Sequence, residues 1–193
     1  MRPHSARRLA IGLLLLPGAA LAHPGHEAST FVHGFTHPFG GIDHLLAMLA
    51  VGILASRFEG SVRAALPIAF IASMSIGAVL ATSGFALASV ELVIALSLIA
   101  FGAAIVSTHA PPVMIATVAV AAFALFHGYA HGTEMAGTSL LAFGTGFVLS
   151  TALLHGAGLW LTLRARELGR RAQTAIHVSG GVIAGIGVVL TFG

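Results

Sequence analysis

Long apolar stretches separated by short polar segments dominate the pattern of this chain. Six of these stretches follow residue 39, and each is close to the ~20 residues that a membrane-spanning helix needs. Their approximate bounds are 40–56, 64–83, 87–107, 112–131, 138–163 and 174–192. Because the connections are short, we expect sequential helices to pack as antiparallel neighbours. The pattern predicts an all-α membrane protein, a bundle of six transmembrane helices that forms a single domain over residues 23–193.

The first 22 residues have the pattern of a signal peptide. Arginines precede a short apolar run at 9–16, and the small residues Ala20 and Ala22 fit the positions that determine cleavage. An uncleaved anchor helix is the alternative, but an apolar run this short spans a bilayer poorly. We therefore expect cleavage after Ala22, which leaves a mature chain that begins at His23.

Glycines recur throughout the apolar stretches, and two pairs have four-residue spacing. These pairs are Gly128 with Gly132 and Gly181 with Gly185. Small residues at this spacing let helix backbones approach closely in lipid, where packing drives helix association. We expect both pairs to mark contacts between helices.

The positive charges of the mature chain are confined to two predicted loops. One loop joins the first and second spans, and the other joins the fifth and sixth. The arginines in them are Arg57, Arg63, Arg164, Arg166, Arg170 and Arg171. Since cytoplasmic loops carry an excess of arginine, both loops are expected inside the cell. The chain is therefore predicted to be a multi-pass protein of the bacterial inner membrane, with its mature N- and C-termini in the periplasm.

Composition narrows the class of protein further. The chain is 57% hydrophobic and only 8% charged, whereas a soluble domain carries roughly 25% charged residues, so a soluble globular fold is excluded. Cysteine is absent, which excludes disulfides and thiolate metal sites. Lysine is absent as well, which excludes a Walker A site and Schiff-base chemistry. We expect no binding of nucleic acid. The eleven histidines are the unusual feature.

A first polar cluster opens the first predicted span. It reads His-Pro-Phe-Gly-Gly-Ile-Asp-His at 37–44, and its proline and glycines favour an irregular start in which His37 folds back towards Asp43 and His44. Ionisable groups inside a bilayer are costly and indicate function. Helix capping would explain Asp43 alone, but not the two histidines beside it. We interpret these three residues as metal ligands.

A second polar cluster ends the fourth predicted span. His127 and His131 are four residues apart, and Glu134 follows three residues later. All three side chains share one helix face if the helix continues through Gly132. Paired imidazoles with a carboxylate are a common transition-metal ligand set. Both clusters lie at the same predicted membrane face, so we expect them to form one site for Ni²⁺, Co²⁺ or Zn²⁺.

Other polar residues are weaker candidates, and the sequence leaves their roles open. Glu91 lies near the outer end of the third span. It could be a metal ligand, a partner of a ligand, or a residue at the level of the lipid headgroups. His155 lies about two thirds of the way through the fifth span, where a relay towards the inside would pass. The remaining candidates are Met48, His109 and His177, together with His23, His26 and His33 before the first span.

Two motifs resemble a known family. The sequences HPFGGIDHLLAM at 37–48 and FHGYAHGTEM at 126–135 are similar to the signature motifs of the HupE/UreJ family of nickel and cobalt permeases. The resemblance covers the mature chain. It implies uptake of Ni²⁺, or of Co²⁺ in some members, often to supply hydrogenase or urease. It also implies that the metal contacts are His37, Asp43, His44, His127, His131 and Glu134.

Three function classes remain after this comparison of motifs. The leading hypothesis is a permease whose partners are the metal ion and the lipid bilayer. The sequence leaves its oligomeric state open. We expect no prosthetic group, and Zn²⁺ is a possible surrogate for the transported Ni²⁺ or Co²⁺. A membrane-embedded zinc hydrolase would use similar residues, but six potential ligands exceed the three of a usual catalytic site. A metal-binding accessory protein for hydrogenase or urease maturation would need a docking domain. We therefore expect the chain not to be an enzyme.

Overall fold

The computed structural model describes residues 31–135 and 140–193. The predicted signal peptide at 1–22, the histidines His23 and His26, and the first two residues of the predicted fifth span lie outside these ranges. Within them the regular structure is entirely helical. The predicted all-α class therefore holds for the part of the chain that the structure describes.

Seven α-helices follow one another along the described ranges. They are α1 (Phe31–Thr36), α2 (Ile42–Ala55), α3 (Ala65–Thr82), α4 (Val90–Val106), α5 (Val113–Glu134), α6 (Leu140–Leu168) and α7 (Arg170–Phe192). Short 3₁₀ segments at His37–Phe39 and Gly60–Ala64 precede α2 and α3.

Several of these helices are long and apolar enough to cross a membrane. Four described segments meet that test alone: Gly60–Thr82, Val113–Glu134, Leu141–Leu168 and Arg170–Phe192. A fifth span results if Phe31–Phe39 and α2, which meet at an angle of 85°, count as one broken span. Helix α4 is apolar but has only 17 residues. The chain is a multi-pass membrane protein.

The last two helices are longer than the sequence pattern predicts. The predicted spans 138–163 and 174–192 leave a loop for four arginines, but α6 continues to Leu168 and α7 begins at Arg170. Only Gly169 separates them, and its φ of +94° suits glycine. The end of an apolar stretch shows where a helix leaves the hydrocarbon core, not where the helix ends. Arginine, leucine and glutamate favour helix, so they continue it into the headgroup region and beyond.

Sequential helices do not form the main contacts, so the expectation from short connections is wrong. The most extensive contacts instead join α3 with α5, α4 with α7 and α2 with α6. Helix α1 also packs on the first turns of α6. The neighbours α2–α3, α4–α5 and α6–α7 touch less extensively. Short connections keep sequential helices near one another, but they do not decide which helices pack. The shapes of the helix surfaces decide that.

Glycines explain this pairing, because each main pair contains glycines that face the partner's backbone. A Cβ atom on Gly52 of α2 would overlap the carbonyl of His155, and one on Gly158 of α6 would overlap that of Leu49. The same reciprocal arrangement holds α3 to α5 through Gly77 and Gly128, and α4 to α7 through Gly102, Gly180 and Gly187. Close backbone approach of this kind is how helices gain packing energy in lipid.

The two glycine pairs identified from spacing have different outcomes. Gly128 and Gly132 both pack against α3, at Met74 and Ala78. Gly181 and Gly185 face open space, so the prediction for that pair is wrong. Helix α7 uses Gly180 and Gly187 instead, a seven-residue spacing that places both on the stripe facing α4.

Helix α2 lies at the centre of the bundle. Every residue from Ala47 to Ala55 except Leu49 is buried. With 14 residues the helix is about 21 Å long, shorter than the ~30 Å hydrocarbon core. A helix of this length cannot reach both membrane surfaces by itself.

Arginines gather at one end of the bundle, called here the arginine end. Arg57 follows α2 and donates to the carbonyl of Ala104, near the end of α4, at 2.7 Å. Arg166 of α6 donates to the carbonyl of Ser56 at 2.8 Å. These bonds satisfy carbonyl groups at helix C-termini that have no partner within their own helix. The arginines therefore fix the mutual position of α2, α4 and α6.

We predict that Gly77→Ala destabilises the protein. The added methyl group would overlap the backbone of α5, and overpacking of this kind costs about 1–3 kcal/mol or more. The matched control is Gly185→Ala, which is exposed and meets open space. Thermal unfolding of the purified proteins in detergent measures the effect. Equal midpoints for the two variants would contradict the glycine pairing.

Candidate metal centre

A polar pocket of about 370 Å³ opens at the end of the bundle opposite the arginines, called here the histidine end. It lies between the start of α2 and the last turns of α5. Its walls include five of the six predicted ligands, together with Glu91, Gly40, Gly41 and Ala130; those five are His37, Asp43, His44, His131 and Glu134. The two motifs, which are about 90 residues apart in sequence, thus meet in one place.

The first motif reaches the pocket through a sharp change of direction. The chain turns by 85° at Gly40 and Gly41, between the 3₁₀ segment and α2. Helix α1 is held against α6 because Gly34 and Gly146 each face the partner's backbone. This brings His37 to the pocket, where its contacts are with His131 and Glu134. The predicted fold-back towards Asp43 and His44 extends only to the lining of one pocket by all three residues.

Three side chains from the two motifs form direct contacts, and we call them the pocket triad. They are His37, His131 and Glu134. The His37 Nε2 atom lies 2.8 Å from Glu134 Oε2 and 3.0 Å from His131 Nδ1, and His131 Nδ1 lies 3.3 Å from the same carboxylate oxygen. These ligand atoms lie within 4.8 Å of one another. Two imidazoles and a carboxylate at such distances form a set that one transition-metal ion can gather.

Asp43 acts on His44. Its Oδ1 accepts the backbone N–H of His44 at 2.9 Å and lies 2.9 Å from the His44 Nδ1 atom. Because an ionised carboxylate only accepts, Nδ1 carries the proton and Nε2 keeps its lone pair. Gly41 makes room for this carboxylate, since a Cβ there would lie 2.8 Å from Asp43 Oδ1.

His127 lies deeper than the other predicted ligands. It is fully buried and is the one predicted ligand that does not line the pocket. Its Nε2 lies 3.0 Å from Ser97 Oγ, and that hydroxyl donates to the carbonyl of Ile94 at 2.6 Å. The serine oxygen therefore accepts from Nε2–H, which leaves the lone pair of the ring on Nδ1.

His44, His127 and His131 form a group that we call the histidine cluster, in which His127 and His131 are buried and His44 is partly exposed. The His44 ring lies between the other two, with ring centroids 4.9 Å from His127 and 4.2 Å from His131. Each ring has one buried nitrogen with no hydrogen-bond partner among the described residues: His44 Nε2, His127 Nδ1 and His131 Nε2. Buried polar atoms are nearly always bonded, so three such nitrogens in touching rings indicate a place for a ligand.

Aromatic side chains enclose both groups. Phe143 and Phe147 of α6 contact the His37 ring, and Phe147 also lies 4.4 Å from the ring of His131. Phe70 of α3 closes the inner side of the histidine cluster, 5.7 Å from the His127 ring. Apolar walls lower the local dielectric, which strengthens the attraction between a bound cation and Glu134 or Asp43.

Glu91 reaches the pocket from α4 and adds a third carboxylate to its walls. The residue before that helix, Ser89, has φ of 56°, the single non-glycine residue with a positive φ in the described chain. Left-handed backbone at a serine is strained and concentrates near functional sites. The sequence pattern gave no sign of this turn.

The weaker candidates are dispersed. Met48 lies in the apolar core, and His177 lines a pocket at the arginine end. His33 packs beside the pocket triad, its ring 5.7 Å from that of His37. His155 lies at the middle of α6, because that helix ends later than predicted.

The residues that support the ligands were not among the candidates predicted from the sequence. Ser97 is the clearest case, since a serine within an apolar span is a detectable polar signal. Phe70, Phe143 and Phe147 could not be distinguished from the other phenylalanines of the chain, because an aromatic residue facing a histidine and one facing lipid have the same sequence pattern.

The comparisons with known proteins agree with these motifs. The family model described as HupE / UreJ protein matches residues 11–190. The chain is 37% identical to Protein HupE of Rhizobium leguminosarum bv. viciae over 184 residues, which cover 95% of both chains. No solved structure matches the chain significantly.

The HupE/UreJ family is associated with nickel and cobalt transport, and its members are transporters or accessory proteins rather than enzymes. The match extends over nearly the whole chain and includes both histidine motifs. The chain therefore belongs to the HupE/UreJ family.

Proposed function

We propose that this protein is a permease that takes up Ni²⁺ or Co²⁺ across the bacterial inner membrane. The observation that carries the proposal is the pocket triad, in which His37 from the first motif contacts His131 and Glu134 from the second. A site that needs both motifs explains why a chain with few charges places so many ionisable groups at one end of a membrane bundle.

The proposed topology has six spans. The bent pair of α1 and α2 forms the first span, and the apolar helix α4 is the third despite its 17 residues. Segments of 17 residues fall at the lower end of the range that crosses a bilayer. The arginine end faces the cytoplasm by the positive-inside rule, so the pocket faces the periplasm. Both mature termini then lie outside, after removal of the signal peptide.

The ligand chemistry suits the proposed ions. Imidazole and carboxylate groups bind Ni²⁺, Co²⁺ and Zn²⁺ well, and a chain without cysteine offers no soft thiolate for Cu⁺. Zn²⁺ is the expected surrogate in binding assays. The chain has no nucleotide-binding motif, so the flux follows the concentration gradient or is coupled to the membrane potential or to protons.

Uptake begins with capture in the pocket triad. The His37 Nε2 atom, the His131 Nδ1 atom and the Glu134 carboxylate would hold the ion together, and any proton held between these atoms would pass to water at the mouth of the pocket. His131 also belongs to the histidine cluster, where His44 and His127 hold their unprotonated nitrogens ready. An ion that moves from the triad to the cluster can exchange its other ligands while it stays near His131, which belongs to both groups. It therefore never loses all its ligands at once, which would be costly in a low-dielectric site.

We predict that His131→Ala and Glu134→Gln each reduce nickel uptake to background. Each variant removes one of three groups that gather the ion, while the apolar spans and arginines stay unchanged. Initial uptake of radioactive nickel and cobalt by cells, at equal protein levels in the membrane, is the measurement. His109→Ala, in the exposed segment near the arginine end, is the matched control. Normal uptake by both site variants would refute the permease proposal.

A second prediction concerns Asp43, which we expect to act through His44. Asp43→Ala should lower uptake by roughly 10–100-fold, as is typical when the partner that orients a metal-binding histidine is lost. In a His44→Ala background the same change should have little further effect, because no ring remains to be oriented. If the two effects multiply instead, Asp43 contacts the ion directly.

The proposed topology predicts the location of each loop. Alkaline phosphatase, which needs the oxidising periplasm for its disulfides, should be inactive when fused after Arg57 or after Gly169. It should be active when fused after Gly84, between α3 and α4. Activity after either arginine segment would reverse the orientation and place the pocket in the cytoplasm.

A further inference from the structure

His155 is a buried ionisable residue that the pocket does not use. It lies midway along α6 with 2% of its surface exposed. Neither of its ring nitrogens has a hydrogen-bond partner in the described ranges. An imidazole in mid-membrane with two unsatisfied nitrogens is costly to maintain, so its presence calls for a function.

Two hydroxyl groups on the same helix share this condition. Ser150 and Thr151 are buried, and their side-chain oxygens also lack a partner among the described residues. Thr151 precedes His155 by four residues, so the two side chains occupy one face of α6. This face of α6 therefore carries an imidazole and a hydroxyl one turn apart.

His155 lies directly inward of the histidine cluster. The Phe70 ring contacts both His127 and His155, with centroid distances of 5.7 and 5.0 Å. Phe147, eight residues before His155 on α6, touches His131, so His155 lies about 12 Å further along that helix. One aromatic ring therefore contacts both an outer histidine and this inner one.

His155 also lines a second pocket of about 360 Å³, an open groove whose other side chains are almost all apolar. This pocket runs between α6 and the start of α3, and it reaches Gly60 and Arg63 at the arginine end. His155 is the one imidazole among the residues that line it. The groove therefore joins the depth of His155 to the arginine end of the bundle.

We propose that His155, with the hydroxyl of Thr151, is a second contact site for the transported divalent ion at mid-depth in the membrane. This proposal rests on the proposed permease function. One imidazole and one hydroxyl bind a transition-metal ion more weakly than the pocket triad does, because they supply no negative charge. Weak binding suits a site from which the ion must leave. Transfer requires the Phe70 ring to turn aside.

The transport test compares His155→Leu with His109→Ala. Leucine fills the space but offers no lone pair, so nickel uptake should fall by roughly 10-fold or more, while the control keeps the rate of the unaltered protein. His155→Gln stays polar but binds transition metals poorly, so it should reduce uptake as much as His155→Leu does. It serves as the test if His155→Leu fails to accumulate in the membrane. An unaltered rate in the accumulated variant would overturn the second site.

A binding test separates this proposal from the permease function itself. In purified protein with His37→Ala, His131→Ala and Glu134→Gln, equilibrium dialysis against nickel chloride measures the ions that remain bound. Adding His155→Leu to that background should remove about one ion per chain, since all other histidines are the same in both proteins. No difference would overturn the second site. If the unaltered protein takes up no nickel, the permease proposal fails and the binding test alone decides on His155.

Discussion

The structure depends on close contact between helix backbones at glycines. Gly52 with Gly158 and Gly77 with Gly128 bring α2 against α6 and α3 against α5, at distances that no side chain would allow. In lipid there is no hydrophobic force to drive helices together, so this packing supplies the attraction. It also sets the site, because His127 adjoins Gly128 in sequence and a Cβ on Gly52 would meet the carbonyl of His155. A shift at either contact would move a histidine.

The bent start of α2 shapes the site. Asp43 and His44 lie in the first turn of this helix, and both line the recess that forms the pocket. The bent segment that carries His37 then covers this recess from the side of α6. The combination places three carboxylates, those of Asp43, Glu91 and Glu134, around one pocket, where apolar walls strengthen their attraction for a cation.

Much of this could be predicted from the sequence, and the failures have physical reasons. The two motifs lie together as expected, because the apolar stretches and the arginine positions predict which helix ends lie on the same side of the membrane. Helix pairing was not predictable in the same way: Gly185 and Gly187 look equivalent in the sequence, yet only Gly187 faces α4. The orientation of the His127 ring depends on Ser97, on another helix, and the strained turn at Ser89 has no local signature.

The charge of the ligands decreases along the proposed path. Glu134 adds a negative charge to the pocket triad, the histidine cluster offers neutral imidazoles oriented by Asp43 and Ser97, and His155 has only a hydroxyl beside it. Affinity for a cation should therefore fall from the periplasm inward, which opposes the movement of the ion. A membrane potential that is negative inside supplies about 2.3 kcal/mol per charge for each 100 mV, twice that for a divalent ion. The potential can therefore offset the loss of ligand charge, so that capture is tight outside while release inside remains possible.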